Sequence, residues 1–480
     1  MNNRQKVFSN LIWRFMERCG AQVVSFVVSI VLARLLEPEL YGTIALVTVI
    51  TSILQVFVDS GMANALIQKK DTDDLDYSSV FYFNVCFCLI LYAGLFFCAP
   101  LISRIYSMPT LVPVIRVLGL TIVVAGVKNV QQAYVAKTMQ FRRFFFSTLG
   151  GTLFSAAVGI AMAYMGYGIW ALVMQQLLNV TVNTAILWLT VGWKPRLAFS
   201  FQRLKGLISF GWKLLVSALL DTVYLKLYQV VVGLKYTSSD LAFYNKADQL
   251  PLLVTENINS SIDSVLLPVL SSEQDNNAAV REMTRRAIKT STYIMMPLMV
   301  GLAVCAEPLI ELLLTDKWLP CVPYMQIFCI CYAFYPLHTA NLNAIKAMGR
   351  SDIFLKLEII KKIISTILLV VSMNISVYAI ALSQLVSCVT SQIINSWPNR
   401  KLLGYNYLQQ LRDMAPAILV SVAMGACVRA VLLLGAGNFV TLLVQVPLGV
   451  VIYVALSALF KLDSFSFMLD TLRRLVKKRG

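Results

Sequence analysis

Charged side chains set inside apolar stretches are the residues of this sequence with chemistry to do. In a run that begins near residue 11, Arg14, Glu17 and Arg18 stand one helical turn apart, so Arg14 and Arg18 share a face and Glu17 can pair with either. Arg34 closes the same run. Asp221 falls midway through a stretch near 209–233, with Lys226 beyond it and Lys235 at its exit. In the next stretch Gln249, Glu256, Asn259, Ser260 and Asp263 follow steps of three, four or seven and gather on one helical face, while Leu252, Leu253, Ile258, Ile262 and Leu266 fill the others. Lys246 and Asp248 stand at its outer end, and a further stretch adds Gln326, Tyr332, Tyr335, His338, Asn341 and Asn343, with Pro336 expected to bend it. Guanidinium forks grip phosphate oxygens in pairs, and aromatic faces stack on sugar rings. The bases Arg14, Arg18, Arg34, Lys226, Lys235 and Lys246 therefore suit a phosphate carried by something polar and bulky. The acids Glu17, Asp221, Asp248, Glu256 and Asp263 suit gating, or the binding of a coupling H+ or Na+, and the residues alone do not divide those duties.

The elements that must hold these groups are membrane helices. With 480 residues at 58% hydrophobic and 14% charged, and a mean hydropathy of +0.72, the chain is too poor in charge to clothe soluble domains. About fourteen stretches reach the ~20 apolar residues a spanning helix needs. They lie near 11–36, 39–60, 78–100, 111–131, 144–165 and 169–190, then near 209–233, 242–268, 288–313, 322–345, 357–373 and 376–396, with two more within 411–460. The net charge of +17 follows a topology, since the basic residues concentrate in every second gap; no basic stripe interleaved with aromatics points to nucleic acid. Both termini are thereby expected in the cytoplasm, and the basic residues outside that rule are Arg34, Arg104, Arg116, Lys128, Lys226, Lys235, Lys246, Lys317 and Arg429. The inside connections near 191–209 and 271–288 have room only for a short interfacial helix. The ten cysteines, mostly inside apolar stretches, form neither a metal-ligand pattern nor a disulfide framework, and no cofactor is expected.

An internal repeat is visible at the helix exits. Arg34 is followed five residues on by Glu39 and Leu40, and Lys235 five residues on by Asp240 and Leu241. Six helices per repeat, at 1–208 and 209–410, give two lobes of one orientation related by an axis along the membrane normal. Two helices in 411–460 stand outside the repeat. The tail 461–480 places Phe465, Leu469, Leu472 and Val476 on one face beside Arg473, Lys477 and Lys478, as a helix lying on anionic lipid would.

The segments Ala33-Arg34-Leu35-Leu36-Glu37-Pro38-Glu39-Leu40-Tyr41-Gly42, Asp59-Ser60-Gly61-Met62 through Gln68, Phe210-Gly211-Trp212-Lys213, Gly233-Leu234-Lys235, Tyr244-Asn245-Lys246-Ala247 and Leu267-Pro268-Val269-Leu270-Ser271 carry a resemblance over nearly the whole chain. It resembles the polysaccharide transporter family of lipid-linked oligosaccharide flippases, within the multidrug and oligosaccharidyl-lipid exporter superfamily. The resemblance implies an all-α, two-lobed bundle of about fourteen helices. Such a bundle carries an undecaprenyl-diphosphate-linked glycan, such as an O-antigen, capsule or exopolysaccharide unit, across the bacterial inner membrane by alternating access. Partners are then the lipid-linked oligosaccharide, membrane lipids and other polysaccharide-assembly proteins. Family members often carry an acid shortly before the Gly of the seventh helix, where this chain has Leu227, Tyr228 and Gln229. The alternative is a cation-coupled multidrug or metabolite antiporter of the same superfamily, against which Arg14, Arg18, Lys226 and Lys246 argue. A membrane glycosyltransferase or polymerase needs larger outer loops than this chain provides. The expected path is a central cavity lined by helices one, seven and eight.

Overall fold

The computed structural model describes residues 3–59, 62–69 and 71–477; the side chains of Arg14, Glu17, Arg18 and Lys213 lie outside the described set. The described residues form helices and no strands. In chain order these are α1 (Asn3–Leu35), α2 (Pro38–Asp59), α3 (Met62–Gln68), α4 (Asp74–Ile105), α5 (Leu111–Lys137), α6 (Phe141–Tyr164), α7 (Ile169–Thr190), α8 (Phe201–Lys235) and α9 (Ser238–Ser272). They continue with α10 (Asn277–Val304), α11 (Ala306–Leu314), α12 (Val322–Ala333), α13 (Tyr335–Ala347), α14 (Ser351–Ser372), α15 (Val377–Leu402), α16 (Tyr407–Ala430), α17 (Asn438–Leu459) and α18 (Asp463–Lys477). Among the described residues, 11 helical segments are long and apolar enough to cross a bilayer. Two compact units divide the chain, Met1–Ala242 and Phe243–Gly480. This packing boundary falls inside α9, beyond the repeat boundary read at 208/209.

The hydropathy reading misplaced several helix ends in one direction. α8 starts at Phe201 and α10 at Asn277, so neither inside connection holds a separate interfacial helix. The turns ahead of their apolar stretches carry Arg203 and Lys205 in α8 and Arg281, Arg285 and Arg286 in α10, and hydropathy marks the part of a helix that lies in lipid, not the part that projects from it. The stretch near 288–313 is broken at Cys305 into α10 and α11, and the stretch near 322–345 is broken at Phe334, with Pro336 at the start of α13. Proline is preorganised for a first helical turn, where its missing N–H costs nothing.

The succession of elements repeats. α1 runs 33 residues and α8 runs 35, each followed by a two-residue break and another helix. Three residues join α5 to α6 and three join α13 to α14, with the same backbone trace. Gln140 N–H donates to Val135 O (3.0 Å) and Arg350 N–H to Ile345 O (3.1 Å), and the middle residue has positive φ in both turns. Gly349 takes that conformation without penalty, whereas Met139 takes it at φ 54° with a Cβ in the way.

Within the first unit, α2 crosses the α8–α9 turn at two glycines. A Cβ on Gly42 would lie 1.7 Å from the Ser238 carbonyl oxygen, and one on Gly233 would lie 2.2 Å from Leu46 Cδ2. Both glycines belong to the motif segments quoted above. At the basic end of this unit Tyr77 and Trp193 are buried with Leu66, Leu187 and Leu204, and half-buried Tyr134 packs its ring against both aromatics. The segment 191–200 leading to α8 is extended and tied down: Gln131 Nε2 donates to Trp193 O (3.0 Å), while Arg196 N–H and Ser200 N–H reach Ser78 Oγ and Ser79 Oγ at 2.9 Å each. Lys137 Nζ donates to Leu66 O, Lys69 O and Thr72 Oγ1, holding the turn after α3. Asp76, fully buried, meets Lys69 at 2.6 Å and Arg203 at 3.6 Å. In the second unit α18 packs Phe465 and Met468 against a core containing Tyr293, Val420 and Tyr453, and Asp463 pairs with Lys289 at 2.6 Å. The tail is thus a helix, as its pattern indicated.

Candidate functional site

The polar face of α9 is the richest concentration of candidate groups, and its neighbours in the second unit explain its order. Tyr332 O–H donates to Asp248 Oδ1 (2.7 Å), Thr339 O–H to Asn259 Oδ1 (2.5 Å) and Asn343 Nδ2 to Asp263 Oδ1 (2.8 Å). α12 and α13 therefore supply one donor after another along α9. Gln249, Glu256, Ser260 and Asp263 are exposed within their unit, and Tyr335, 40% exposed, lies within electrostatic reach of Glu256. Exposed carboxylates oriented by buried amides and hydroxyls are built to meet a polar guest, because their remaining lone pairs stay open. Lys246, expected at the outer end of this stretch as a base for the substrate, is buried. It is 8% exposed, with its ammonium 5.8 Å from the Trp318 ring centre and beside the Cys321 thiol.

The polar set on α12 and α13 mostly bonds neighbouring helices. Gln326 donates to Ala303 O (3.2 Å), and Asn341 Nδ2 to Gln410 Oε1 (2.8 Å). Asn341 Oδ1 accepts from Asn399 Nδ2 (2.7 Å) and Gln410 Nε2 (3.0 Å), and all three amides are fully buried. This triad ties α13, α15 and α16 together without a charge.

In the first unit Arg34 and Lys235 occupy matching places, exposed in the last turns of α1 and α8. A cation there complements the negative end of the helix dipole, which accounts for two bases outside the positive-inside pattern. Asp221 is exposed on α8 and Lys226 half-buried. Large apolar neighbours on the same helix, Leu214, Leu220, Val223 and Leu225, are exposed as well, so α8 is lightly packed within its unit. Arg14, Glu17 and Arg18 stand on α1, with side chains outside the described set.

One cluster was missed. Asp59 Oδ1, at the end of α2, accepts from Gln55 Nε2 (3.0 Å) and Asn129 Nδ2 (3.4 Å), with Lys128 of α5 nearby. Two signals were present in the sequence: Asp59 opens a motif segment, and Lys128 breaks the positive-inside pattern.

Residues 31–323, more than half the chain, match the family model described as "Polysaccharide biosynthesis protein". The chain belongs to this family. Curated members similar to it include the succinoglycan biosynthesis transport protein ExoT of Rhizobium meliloti (strain 1021), 22% identical over 76% of this chain and 74% of that one. The lipopolysaccharide biosynthesis protein WzxC of Escherichia coli (strain K12) is 23% identical over 88% and 89%. Among solved structures, the lipid II flippase MurJ in an inward closed conformation superposes with TM-score 0.74 at 16% identity, covering 94% of this chain and 98% of that one. An inward-facing multidrug resistance MATE transporter of the MOP superfamily gives 0.63 at 13%, covering 80% and 94%. This family member thus shares the all-helical MurJ and MATE fold and is a multi-pass membrane protein.

Proposed function

We propose that this protein flips an undecaprenyl-diphosphate-linked oligosaccharide from the inner to the outer leaflet of a bacterial cytoplasmic membrane by alternating access. Fourteen spans in two six-helix lobes plus α16 and α17, with both termini cytoplasmic, form the architecture of this reading. The carrying observation is the polar face of α9, exposed and oriented by α12 and α13, in a chain whose relatives are named for polysaccharide biosynthesis and transport. In this reading Arg14, Arg18, Arg34, Lys226 and Lys235 meet the diphosphate, since guanidinium and ammonium groups satisfy phosphate oxygens. Asp248, Glu256 and Asp263, with Glu17 and Asp221, gate the path, meet sugar hydroxyls or couple to H+ or Na+. Lys246, packed on Trp318, positions α9 and contributes charge only if α9 moves.

A leaflet assay decides the matter. Protein reconstituted in vesicles is given defined lipid-linked oligosaccharides, and movement is read as glycan becoming accessible to a reagent outside. Accelerated movement of a lipid diphosphate-linked glycan, reduced by Arg14→Ala or Arg18→Ala at equal insertion, supports the reading. The fold likeness to a multidrug transporter favours cation-coupled export of small molecules as the second reading. Vesicles that expel cationic dyes and leave the glycan lipid in place would establish that instead.

A further inference from the structure

His338 is the one histidine of the chain, and its surroundings in the second unit have two self-consistent arrangements that differ by a proton. It stands in the first turn of α13, opposite α15. Asn395 Nδ2 lies 2.9 Å from its Nδ1, Cys388 Sγ lies 3.8 Å from its Nε2, and the Tyr335 ring stands edge-on with centres 6.0 Å apart. An amide nitrogen only donates, so Nδ1 accepts and the imidazole is neutral, with its proton on Nε2 toward the sulfur. The thiol donates to Cys331 O (3.3 Å), and the sulfur also accepts from Gln392 Nε2 (3.7 Å). One atom is left over. Asn395 Oδ1 is buried without a hydrogen-bond partner on a residue 1% exposed.

We propose that His338 and Asn395 form a proton-binding site inside the second unit, in which protonation of the imidazole turns over the Asn395 amide. A second ring proton makes Nδ1 a donor facing a donor. A half-turn of the amide brings the unpartnered Oδ1 onto Nδ1–H, and the contact is restored. The orphan oxygen of the neutral state is the acceptor held for the charged state, which gives a buried oxygen without a partner its reason.

The titratable groups around the ring come from α9, α12, α13, α14, α15 and α16. Tyr335 shares α13 and Cys388 lies on α15. α12 supplies Cys331 and Tyr332, the latter bonded to Asp248 of α9. Glu256 of α9 and Glu358 of α14 reach Tyr335, and Glu358 is itself paired with Lys361 at 2.5 Å. Tyr407 of α16 reaches Gln392. The charged groups around the ring are thus Asp248, Glu256 and the Glu358–Lys361 pair. Asn395 precedes Asn399 by one turn of α15, so the flip acts on the same seam as the Asn341–Asn399–Gln410 triad. Resting on the flippase reading, protonation of His338 is the coupling event, and repacking of the α13–α15 seam is what it drives.

The single histidine makes the test direct. Protein without a polyhistidine tag, labelled at histidine 13Cε1 and held in lipid nanodiscs, is titrated from pH 5 to 8.5 by NMR. We expect a single imidazole resonance whose midpoint depends on the residue at position 395. Its midpoint should rise at least tenfold in proton affinity in Asn395→Asp, which offers a carboxylate without turning, and fall by a similar factor in Asn395→Leu. A resonance flat across the range, or midpoints identical in both variants with thermal stability retained, would overturn the site. In vesicles, glycan-lipid movement by the native protein should respond to a pH gradient, and movement by His338→Gln should not. A gradient response intact in His338→Gln overturns the coupling role. No movement by the native protein refutes the flippase reading instead, and leaves the NMR titration to decide the proton site.

Discussion

Replacing Gly42 by alanine tests the account of how α2 meets the α8–α9 turn. The new Cβ would sit 1.7 Å from Ser238 O, 2.3 Å from its carbonyl carbon and 2.8 Å from its Cα. These are backbone atoms, so no rotamer change relieves the overlap, and the turn joining two 35-residue helices must retreat by more than an ångström. Overpacking of this kind costs about 1–3 kcal/mol, and a clash with backbone belongs at the top of that range. Against it stands the gain of about 1 kcal/mol for Gly→Ala inside a helix. The net loss is about 2 kcal/mol. Gly94→Ala in α4 is the matched control, with the same helical gain and nothing within 4 Å of its Cβ. The two variants should therefore differ by about 3 kcal/mol. Heating each in detergent and following the monodisperse fraction by fluorescence-detected size exclusion should place Gly42→Ala several degrees below the native protein and Gly94→Ala level with or above it. Coincident melting of the two variants would refute the close approach.

Three further outcomes are expected. Met139→Gly relieves a positive-φ methionine whose side chain is 54% exposed, so it should raise the same melting midpoint by an amount consistent with about 1 kcal/mol; a drop would count against the matched turn. Lys137→Met removes the donor to Leu66 O, Lys69 O and Thr72 Oγ1, at a cost of about 1.5–3 kcal/mol, and should make residues 71–73 a protease-sensitive site in the detergent-solubilised protein. Asp463 is held below the usual carboxylate range by its hydrogen bond to Lys289. A depressed carboxylate contributes stability above its unfolded value and loses it as pH falls through the folded one. A spin label at Ser466 should therefore gain mobility as pH drops below about 4, and Asp463→Asn should show that mobility already at neutral pH.

The parts of this fold legible in the sequence were those that touch lipid. Eleven helical segments among the described residues are long and apolar enough to cross a bilayer, and Arg34 and Lys235 close helices of similar length, each before a two-residue break. Helix ends outside the lipid were not legible, because the polar turns that open α8 and α10 continue a helix through hydrogen bonds that leave no apolar trace. On α9 the spacing of Glu256, Ser260 and Asp263 was enough to place them on one open face. Spacing could not show that Lys246 turns inward onto Trp318, nor that Asn341 meets Asn399 and Gln410, since a neutral amide reads the same whether it faces water or another amide 58 or 69 residues away. His338 looked like a packed helix residue. Only the orphaned oxygen of Asn395 distinguishes it from one.

The polar face of α9 also bears on how the chain enters the bilayer while it is being made. α9 is absent from the segments apolar enough to cross on their own, and a charged group at mid-membrane costs about 2.5–3.5 kcal/mol during insertion. Asp248, Glu256 and Asp263 therefore need α8, already synthesised and joined by the two-residue turn Tyr236–Thr237, to draw α9 in as a hairpin. The donors that later satisfy Asp248, Asn259 and Asp263 reside on α12 and α13, each at least 80 residues further along the chain than its acceptor. From the completion of α9 until α13 leaves the ribosome, those carboxylates wait unsatisfied at the membrane. A nascent chain halted in that interval would carry its most polar helix half-buried in lipid, which makes this the stage at which membrane proteases have the most to recognise.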